Sequence, residues 1–264
     1  MSSKVIVVGL GEVGRPLLEL VGTRHEAVGV DINTPEAAPG CDVMHVCFPY
    51  TDEKFVPEAV RYIKKYRPAL TIINSTVAPG TTRRIAMESR TPVAHSPVRG
   101  KHARMKEEML RYVKFVGAIE KEAGEKACAH FGSIGMRTKL LASPEASELS
   151  KLTETTYFGV LIAWAQEVER YCKELGVNYD EVASFYEEIR FFPPVKYFPG
   201  VIGGHCVMPN IRILKRTFES GLLDAIEKSN EMKQKGLGPQ GWAGWNNGGK
   251  PEAKLADRSN QVRV

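Results

Sequence analysis

The first thirty-one residues constrain the fold of this chain more than any other segment. A β-branched run, Lys4 to Val8, leads into the turn Gly9-Leu10-Gly11-Glu12-Val13-Gly14, and helical character begins at Pro16. A second short strand over 27–30 ends in Asp31. A continuous β-branched strand is typical of a parallel sheet that is buried on both faces. The order of strand, glycine-rich turn, helix and strand therefore predicts a βαβ unit at the amino terminus.

The glycines and the acid of this unit suit a dinucleotide. Gly9 permits the tight turn, Gly11 leaves room for backbone amides to approach a pyrophosphate, and Gly14 lets the helix lie close to the strand. The helix amino terminus offers free N–H groups and a positive dipole end to the phosphates. Asp31 can accept hydrogen bonds from the adenosine ribose and would repel a 2′-phosphate, so NAD is predicted rather than NADP. The alternative is a turn with a purely structural role. Expected cofactor contacts in the turn also include Leu10, Glu12 and Val13.

Strand and helix patterns continue to alternate up to residue 142. The predicted strands are 42–48, 69–73, 92–94, 112–117 and 138–141, and the predicted helices are 53–66, 81–88 and 121–131. This alternation predicts an α/β fold with a Rossmann-type doubly wound parallel sheet. Residues 1–142 are therefore expected to form an NAD-binding domain.

A long helix follows. Ser143 is suited to the cap position, Pro144 and Glu145 suit the first turn, and helical spacing persists to Gly176. A mostly helical second domain, 143–235, is therefore expected around one long central helix, and 236–264 is expected to be a glycine-rich tail. One largely apolar row on the helix predicts either core packing or the face of a homodimer; it consists of Leu149, Leu152, Thr156, Val160 and Ala163.

Composition narrows the classes of partner. The 36 basic and 31 acidic residues are interspersed, so no nucleic-acid-binding stripe is predicted. The longest apolar run, Phe158 to Ala165, is far shorter than the ~20 residues of a membrane span. The stretch Val5 to Leu10 is too short for a signal peptide. Five widely spaced cysteines and the six histidines form no metal-binding pattern. A soluble cytoplasmic protein without a metal is expected.

A candidate nucleophile lies late in the chain. Cys206 follows Gly203 and Gly204 at a predicted loop-to-helix junction, and the glycines allow a ligand to approach the backbone closely. A thiol near a helix start and a lysine can act as a nucleophile. The lysine is Lys151, and residues that share its helix face are Glu148, Thr155 and Phe158. The alternatives are an inert buried thiol and an ordinary solvent-exposed lysine.

Five segments together resemble the UDP-glucose/GDP-mannose dehydrogenase family, particularly its UDP-N-acetylmannosamine dehydrogenase branch. They occur in the family's order, and the resemblance covers roughly residues 3–235. The segments are 9–14, 75–82 (Ser-Thr-Val-Ala-Pro-Gly-Thr-Thr), 95–99 (His-Ser-Pro-Val-Arg), 148–157 (Glu-Leu-Ser-Lys-Leu-Thr-Glu-Thr-Thr-Tyr) and 199–206 (Pro-Gly-Val-Ile-Gly-Gly-His-Cys).

This resemblance implies oxidation of a sugar-nucleotide hydroxymethyl group to a carboxylate with two NAD. Cys206 would attack the intermediate aldehyde, Lys151 would stabilise the oxyanion, and Thr76 would help to hold a water. Pro49 and Tyr50 would lie beside the cofactor with Thr76. The implied substrate contacts are Lys151, Thr155, Gly204, His205 and Asn210.

Departures from the family leave other functions open. A family glutamate is replaced by Val98, an asparagine by Thr155 and an aspartate by Asn210, so thioester hydrolysis is the least secure step. The family's third, nucleotide-binding domain is also expected to be lacking. The alternatives are an impaired NAD-binding scaffold or regulator, and a β-hydroxyacid dehydrogenase that uses a lysine without a cysteine. Trp242 and Trp245 in the tail suggest docking to a partner, or packing alone.

Overall fold

The computed structural model describes residues 2–34, 37–100, 104–188, 199–204 and 206–237. Seven strands form one sheet in the described part of the chain, in the order β2-β1-β3-β4-β5-β6-β7. Their bounds are β1 Lys4–Val8, β2 Glu26–Val30, β3 Cys41–Val46, β4 Pro68–Ile73, β5 Val93–His95, β6 Lys114–Ala118 and β7 Thr138–Leu141. The α/β Rossmann-type fold class is thereby confirmed.

One pairing departs from the predicted parallel sheet. Strand β6 runs antiparallel to β5, with Ala94 opposite Ala118 and His95 opposite Gly117. Strand β7 is again parallel to β6. Because β6 starts at the edge where β5 ends, the residues that follow β5 lie beside Lys114. The segment between these strands contains a short helix that the sequence analysis did not predict, α4 (Met105–Arg111).

Helices cover both faces of the sheet. On one face, α1 (Gly14–Gly22), α4 and α5 (Lys121–Ser133) pack with strand residues such as Val5. On the other face, α2 (Phe55–Tyr66) and α3 (Thr81–Ser89) pack with residues such as Ile6. Successive strand residues point to opposite faces, so Val5 and Ile6 belong to different cores. This two-sided burial is why the strands read as continuous apolar runs.

The predicted long helix is α6, Pro144–Leu175, with 32 residues. Ser143 caps it, since its hydroxyl accepts a hydrogen bond from the Ala146 amide at 3.2 Å. At the other end Gly176 has a φ of 69°, and the Val177 amide donates to the Cys172 carbonyl at 3.0 Å. This glycine-terminated arrangement closes the helix where the sequence predicts. The remaining helices are α7 (Tyr179–Ser184), α8 (Val207–Thr217) and α9 (Gly221–Leu237).

The chain divides into two compact units. The sheet unit consists of residues 1–158 and 204–220, and the helical unit consists of 159–203 and 221–264. The expected boundary at 142/143 falls inside the sheet unit, because the first turns of α6 pack against β5 and the loop before α3. Within the helical unit, Asn230 makes two hydrogen bonds to the backbone of Ile202, at 2.7 and 3.1 Å.

Candidate active site

The predicted cofactor residues follow four neighbouring strands at one edge of the sheet. The turn 9–14 follows β1, Asp31 follows β2, Pro49 and Tyr50 follow β3, and Thr76 follows β4. The Leu10 amide donates to the Asp31 carboxylate at 2.7 Å, which holds this acid against the glycine-rich turn. In open α/β sheets, ligands bind outside the carboxyl ends of the strands.

The glycines of the turn differ in how closely other atoms approach them. Gly9 has a φ of 89°, and a Cβ on it would lie 2.6 Å from the Phe48 nitrogen. A Cβ on Gly14 would lie 1.7 Å from the Gly9 carbonyl oxygen, so the helix start and the turn are in close contact. By contrast, no atom lies within 4 Å of the Cβ position of Gly11. The backbone at Gly11 therefore offers the open approach that a pyrophosphate needs.

Hydrogen bonds connect the loop after β3 to the loop after β4, and the loop after β4 to the end of β5. The Ser75 hydroxyl donates to the Phe48 carbonyl at 2.6 Å, and the His95 Nε2 lies 3.1 Å from the Ser75 carbonyl. Thr76 follows directly and is half-buried, while Tyr50 packs its ring 5.3 Å from that of Phe55. These contacts hold the segments of Tyr50 and Thr76 in place at this edge of the sheet.

Glu148 joins α6 to this edge. Its two carboxylate oxygens accept hydrogen bonds from the backbone amides of Gly80 and Thr82, at 2.7 and 2.8 Å. The side chain is fully buried, and burial raises the pKa of Glu148 to about 7. The amides belong to the amino-terminal end of α3, where free N–H groups need an acceptor. Glu148 thus fixes α6 against the loop that begins at Thr76.

One turn further along α6, Lys151 lies in a charged cluster. Its Nζ is 3.8 Å from a carboxylate oxygen of Glu154, and the Arg99 Nε donates to the other oxygen at 2.9 Å. Burial lowers the pKa of Lys151; the charges of Glu154 and Cys206 raise it, and that of Arg99 lowers it. Lys151 is therefore the mostly buried cation of the cluster rather than a solvent-exposed lysine.

Cys206 lies immediately before α8, as the residue that caps its amino terminus. Its thiol is exposed, so it is not the inert buried thiol that composition alone would allow. An ionised Cys206 would raise the pKa of Lys151, so the two groups lie within electrostatic range of each other. The sheet unit therefore brings together a sulfur from late in the chain and an amine from α6.

The positions four residues beyond Lys151 and Cys206 are also in contact. The Asn210 side-chain amide donates to the Thr155 hydroxyl at 2.8 Å, and both residues are buried. Thr155 in turn donates to helix carbonyls, including that of Leu152 at 3.0 Å. This pair links α6 to α8. Its predicted contact with substrate stays a prediction. Gly204 is exposed with a φ of 79°, and His205 lies outside the described residues.

Sequence reasoning left several site residues without a role. Arg99 was seen only as part of a motif, and Glu154 only as an acid near Lys151. Their ion pair joins residues that are 55 positions apart, so spacing carries no signal for it. Val98 is buried in the core beneath α4 and presents no polar group.

No helix in the ranges given above is both long enough and apolar enough to cross a membrane. No group of three or more histidine, cysteine, aspartate or glutamate side chains in those same ranges could hold a metal ion.

One segment of the chain is similar to a domain of a known protein family. Residues 145–232 match the central domain of the UDP-glucose/GDP-mannose dehydrogenase family. A UDP-N-acetyl-D-mannosamine dehydrogenase from Methanococcus vannielii is 27% identical over 77% of this chain. The chain spans 59% of the length of that relative.

Solved structures resemble the fold. A UDP-D-ManNAc dehydrogenase from Pyrococcus horikoshii aligns with a TM-score of 0.79 at 21% identity, over 89% of this chain and 69% of that one. A 3-hydroxyisobutyrate dehydrogenase from Mycobacterium tuberculosis aligns with a TM-score of 0.68 at 16% identity, over 90% of this chain and 94% of that one. At these identities the likeness concerns the fold alone.

Proposed function

We propose that this chain is an NAD-dependent dehydrogenase, because residues 145–232 match the central domain of the UDP-glucose/GDP-mannose dehydrogenase family. Its substrate is the primary alcohol of a sugar or nucleotide sugar, a class supported by the name of the Methanococcus vannielii relative. The observation that carries the proposal is the pair of hydrogen bonds that the Gly80 and Thr82 amides donate to the Glu148 carboxylate. Those bonds set the helix of Lys151 beside the loop that contains Thr76.

NAD would be held by the backbone of the turn 9–14 and by Asp31, Pro49, Tyr50 and Thr76. The open backbone at Gly11 supports this assignment. The Asp31 carboxylate accepts hydrogen bonds from the amides of Leu10 and Ile32, each at 2.7 Å, and each oxygen keeps a lone pair for a ribose hydroxyl. When bound, NAD supplies the hydride acceptor for the oxidation.

Lys151 and Cys206 would act on the substrate carbon. The Cys206 thiolate adds to the carbonyl carbon of the intermediate aldehyde, and a C–S bond forms. The carbonyl oxygen then carries the developing negative charge, which the Lys151 ammonium stabilises. Loss of a hydride from the carbon of this thiohemiacetal, with a second NAD as the acceptor, would leave a thioester on Cys206. The charge interaction between Lys151 and Cys206 supports this pairing of roles. Thr155, Gly204, His205 and Asn210 are the further substrate contacts in this proposal.

Release of the product needs a base, and Glu154 is our proposal for it. Directly after Ser96-Pro97, where the resemblance implies a glutamate, this chain has Val98. The buried side chain of Val98 offers no oxygen. The Glu154 carboxylate lies 3.8 Å from the Lys151 amine, while Arg99 orients it from the other side. A carboxylate in this position would accept a proton from the water that attacks the thioester, with Thr76 holding that water.

We further propose a homodimer formed through α6. Within the helical unit, α6 exposes large apolar side chains to solvent at Trp164, Tyr171 and Leu175. Their spacing of seven and four residues aligns them along one face of the helix. Large exposed aromatic side chains on a long helix favour an interface.

The test is NADH formation from NAD with UDP-N-acetylmannosamine, UDP-glucose and the free sugars. We expect NADH with at least one nucleotide sugar, and much less reduction of NADP because Asp31 repels its 2′-phosphate. Cys206→Ser should stop the reaction at or before the aldehyde. Cys128→Ser, on α5, is the matched control and should behave as wild type. An absence of NADH with every sugar would refute the proposal.

The Thr155–Asn210 bond and the buried Val98 favour a second candidate, an NAD-binding scaffold that has lost catalysis. This candidate predicts NAD binding by calorimetry together with ordinary, slow alkylation of Cys206. Fast alkylation that a nucleotide sugar protects against would exclude the scaffold.

A further inference from the structure

Lys114 is a lysine in the interior of the sheet unit. It starts β6, is only 4% exposed, and lies over the ring of Phe131 at 5.0 Å. Its Nζ donates to the Ser96 carbonyl at 2.6 Å, the Pro97 carbonyl at 3.1 Å and the Asn74 side-chain oxygen at 3.3 Å. An ammonium group has three N–H donors. All three protons of Lys114 therefore have an acceptor.

Behind Asn74, a row of polar groups is oriented towards this charge. A lysine ammonium cannot accept a hydrogen bond. The side-chain oxygen of Asn74 must therefore face Lys114, and its side-chain nitrogen must point away. That nitrogen donates to His45 Nδ1 at 3.1 Å, so His45 carries its hydrogen on Nε2 and donates to His130 Nε2 at 2.9 Å. Every donor in the row points away from Lys114, and the negative ends of the dipoles face the ammonium.

The two histidines are neutral at physiological pH. Burial lowers the pKa of His45 well below its ordinary value and lowers that of His130 to about 4. The row therefore places no second positive charge behind Asn74. Its polar groups partly replace the water that Lys114 lost on burial.

In front of Lys114 lies the turn that leads into the charged cluster. Ser96 and Pro97 directly follow β5, and Arg99 comes two residues later. Arg99 holds Glu154, and Glu154 lies beside Lys151. The antiparallel pairing of β5 and β6 is what brings Lys114 under this turn.

We propose that Lys114 is a positioning residue, whose ammonium fixes the turn at Ser96 and Pro97 and thereby aligns Arg99 and Glu154 with Lys151. Its kinetic consequence rests on the proposed dehydrogenase function. A neutral amine has only two N–H donors, so one of the three acceptors would lose its partner and face a lone pair. The turn is then expected to loosen when Lys114 loses its proton.

The surroundings of Lys114 set the pH at which it loses its proton. Burial lowers the pKa of Lys114 to about 7, and the charge of Lys151, from α6, contributes to this decrease; only an ionised Cys47, beyond β3, would oppose it. The other titratable groups that Lys114 influences are His45 on β3 and His95 on β5. Burial lowers the pKa of both histidines and raises that of Cys47 to about 12, so these three stay uncharged near neutral pH.

The kinetic test is the pH profile of kcat. Wild type should lose activity as pH rises through about 7. Lys114→Met should lower kcat about ten- to a hundredfold, leave KM for NAD within about twofold, and remove this pH dependence. Asn74→Asp places a carboxylate against the ammonium and should move the fall to higher pH by one unit or more. Lys139→Met, an exposed lysine on β7, should keep the wild-type profile.

Two results would overturn the proposal: the same descending limb in folded Lys114→Met, or no shift of that limb in folded Asn74→Asp. Burial also raises the pKa of Glu148 to about 7, so a Glu148 variant distinguishes the two groups. The limb assigned to Lys114 should persist in Glu148→Gln and disappear in Lys114→Met.

A second measurement does not depend on activity. In protein labelled with ¹⁵N-arginine, the Nε–H signal of Arg99 reports its bond to Glu154. In wild type, the chemical shift of this signal should change with pH, with a midpoint near 7 where Lys114 loses its proton. In Lys114→Met, the chemical shift should stay constant over the same pH range. A signal that is constant in wild type across that range would refute the inference. If no sugar nucleotide yields NADH, the proposed function fails while this NMR result still decides the role of Lys114.

Discussion

Asn210, on α8, donates a hydrogen bond to the Thr155 hydroxyl, on α6, at 2.8 Å. Thr155 is four residues after Lys151 on α6, and Asn210 is four residues after Cys206 at the start of α8. Both are at least nine-tenths buried. The bond therefore links the helix turn of the amine to that of the thiol.

A double-mutant cycle measures that link. Asn210→Ala leaves the Thr155 hydroxyl without its donor, and Thr155→Val removes the acceptor while keeping the shape. Each single variant should lower the free energy of unfolding by about 1–3 kcal/mol, because a buried polar group loses its partner. The coupling energy should be about 1 kcal/mol, measured by urea denaturation. Strictly additive losses would show that the bond contributes nothing.

Glu154→Gln tests the proposed base. The amide keeps the size of the side chain but cannot take up a proton, so the rate of thioester hydrolysis should fall by about 10²–10⁴-fold. NADH formation followed in a stopped-flow instrument should then show an initial burst and a slow steady state. Glu145→Gln breaks another ion pair on α6, with Arg83, and should leave the steady-state rate unchanged. Equal rates for Glu154→Gln and wild type would remove Glu154 from the mechanism.

Glu148 should make stability depend on pH. Burial raises its folded-state pKa to about 7 from an ordinary value of 4.5, so the folded protein holds this proton more tightly than the unfolded chain. The contribution of Glu148 to stability is therefore complete below pH 4.5 and decreases as pH rises towards 7. The difference in unfolding free energy between wild type and Glu148→Gln, measured at several pH values, should decline over this window. A difference that is constant or grows with pH would contradict the assignment.

The exposed face of α6 predicts the oligomeric state. Light scattering coupled to size exclusion should give twice the mass of the 29.3 kDa chain. Trp164→Ser combined with Tyr171→Ser should shift the protein towards monomer, because apolar area at the centre of the interface is lost. Met87→Ser is the control, since Met87 is an exposed apolar residue on α3. A wild-type monomer at all concentrations would exclude the dimer.

The features of the fold that the sequence predicted are local. The roles of Gly9 and Gly14, the cap at Ser143 and the helix end at Gly176 depend on residues within a few positions, and the structure has each of them. The direction of β6 was not predictable in this way. The segment between β5 and β6 is long enough for a parallel crossover or an antiparallel return, so its length did not decide between them.

The electrostatics of the site depend on contacts between distant segments. Glu148 finds its partners at Gly80 and Thr82, and Lys114 finds an acceptor at Asn74. Neither set of partners has a periodic or motif signal in the chain, because the three-dimensional fold alone brings these positions together. A buried lysine or glutamate looks like any surface charge until its neighbours are known.

The mass of the protein after an acid quench tests the covalent role of Cys206 directly. Glu154→Gln incubated with NAD and a nucleotide sugar that wild type oxidises should accumulate the acyl group as a thioester on the peptide that contains Cys206. We expect this adduct in Glu154→Gln, and its absence from the same peptide in a variant that adds Cys206→Ser. Continued formation of the carboxylate product by Cys206→Ser, with no adduct on Cys206 in any variant, would contradict that role.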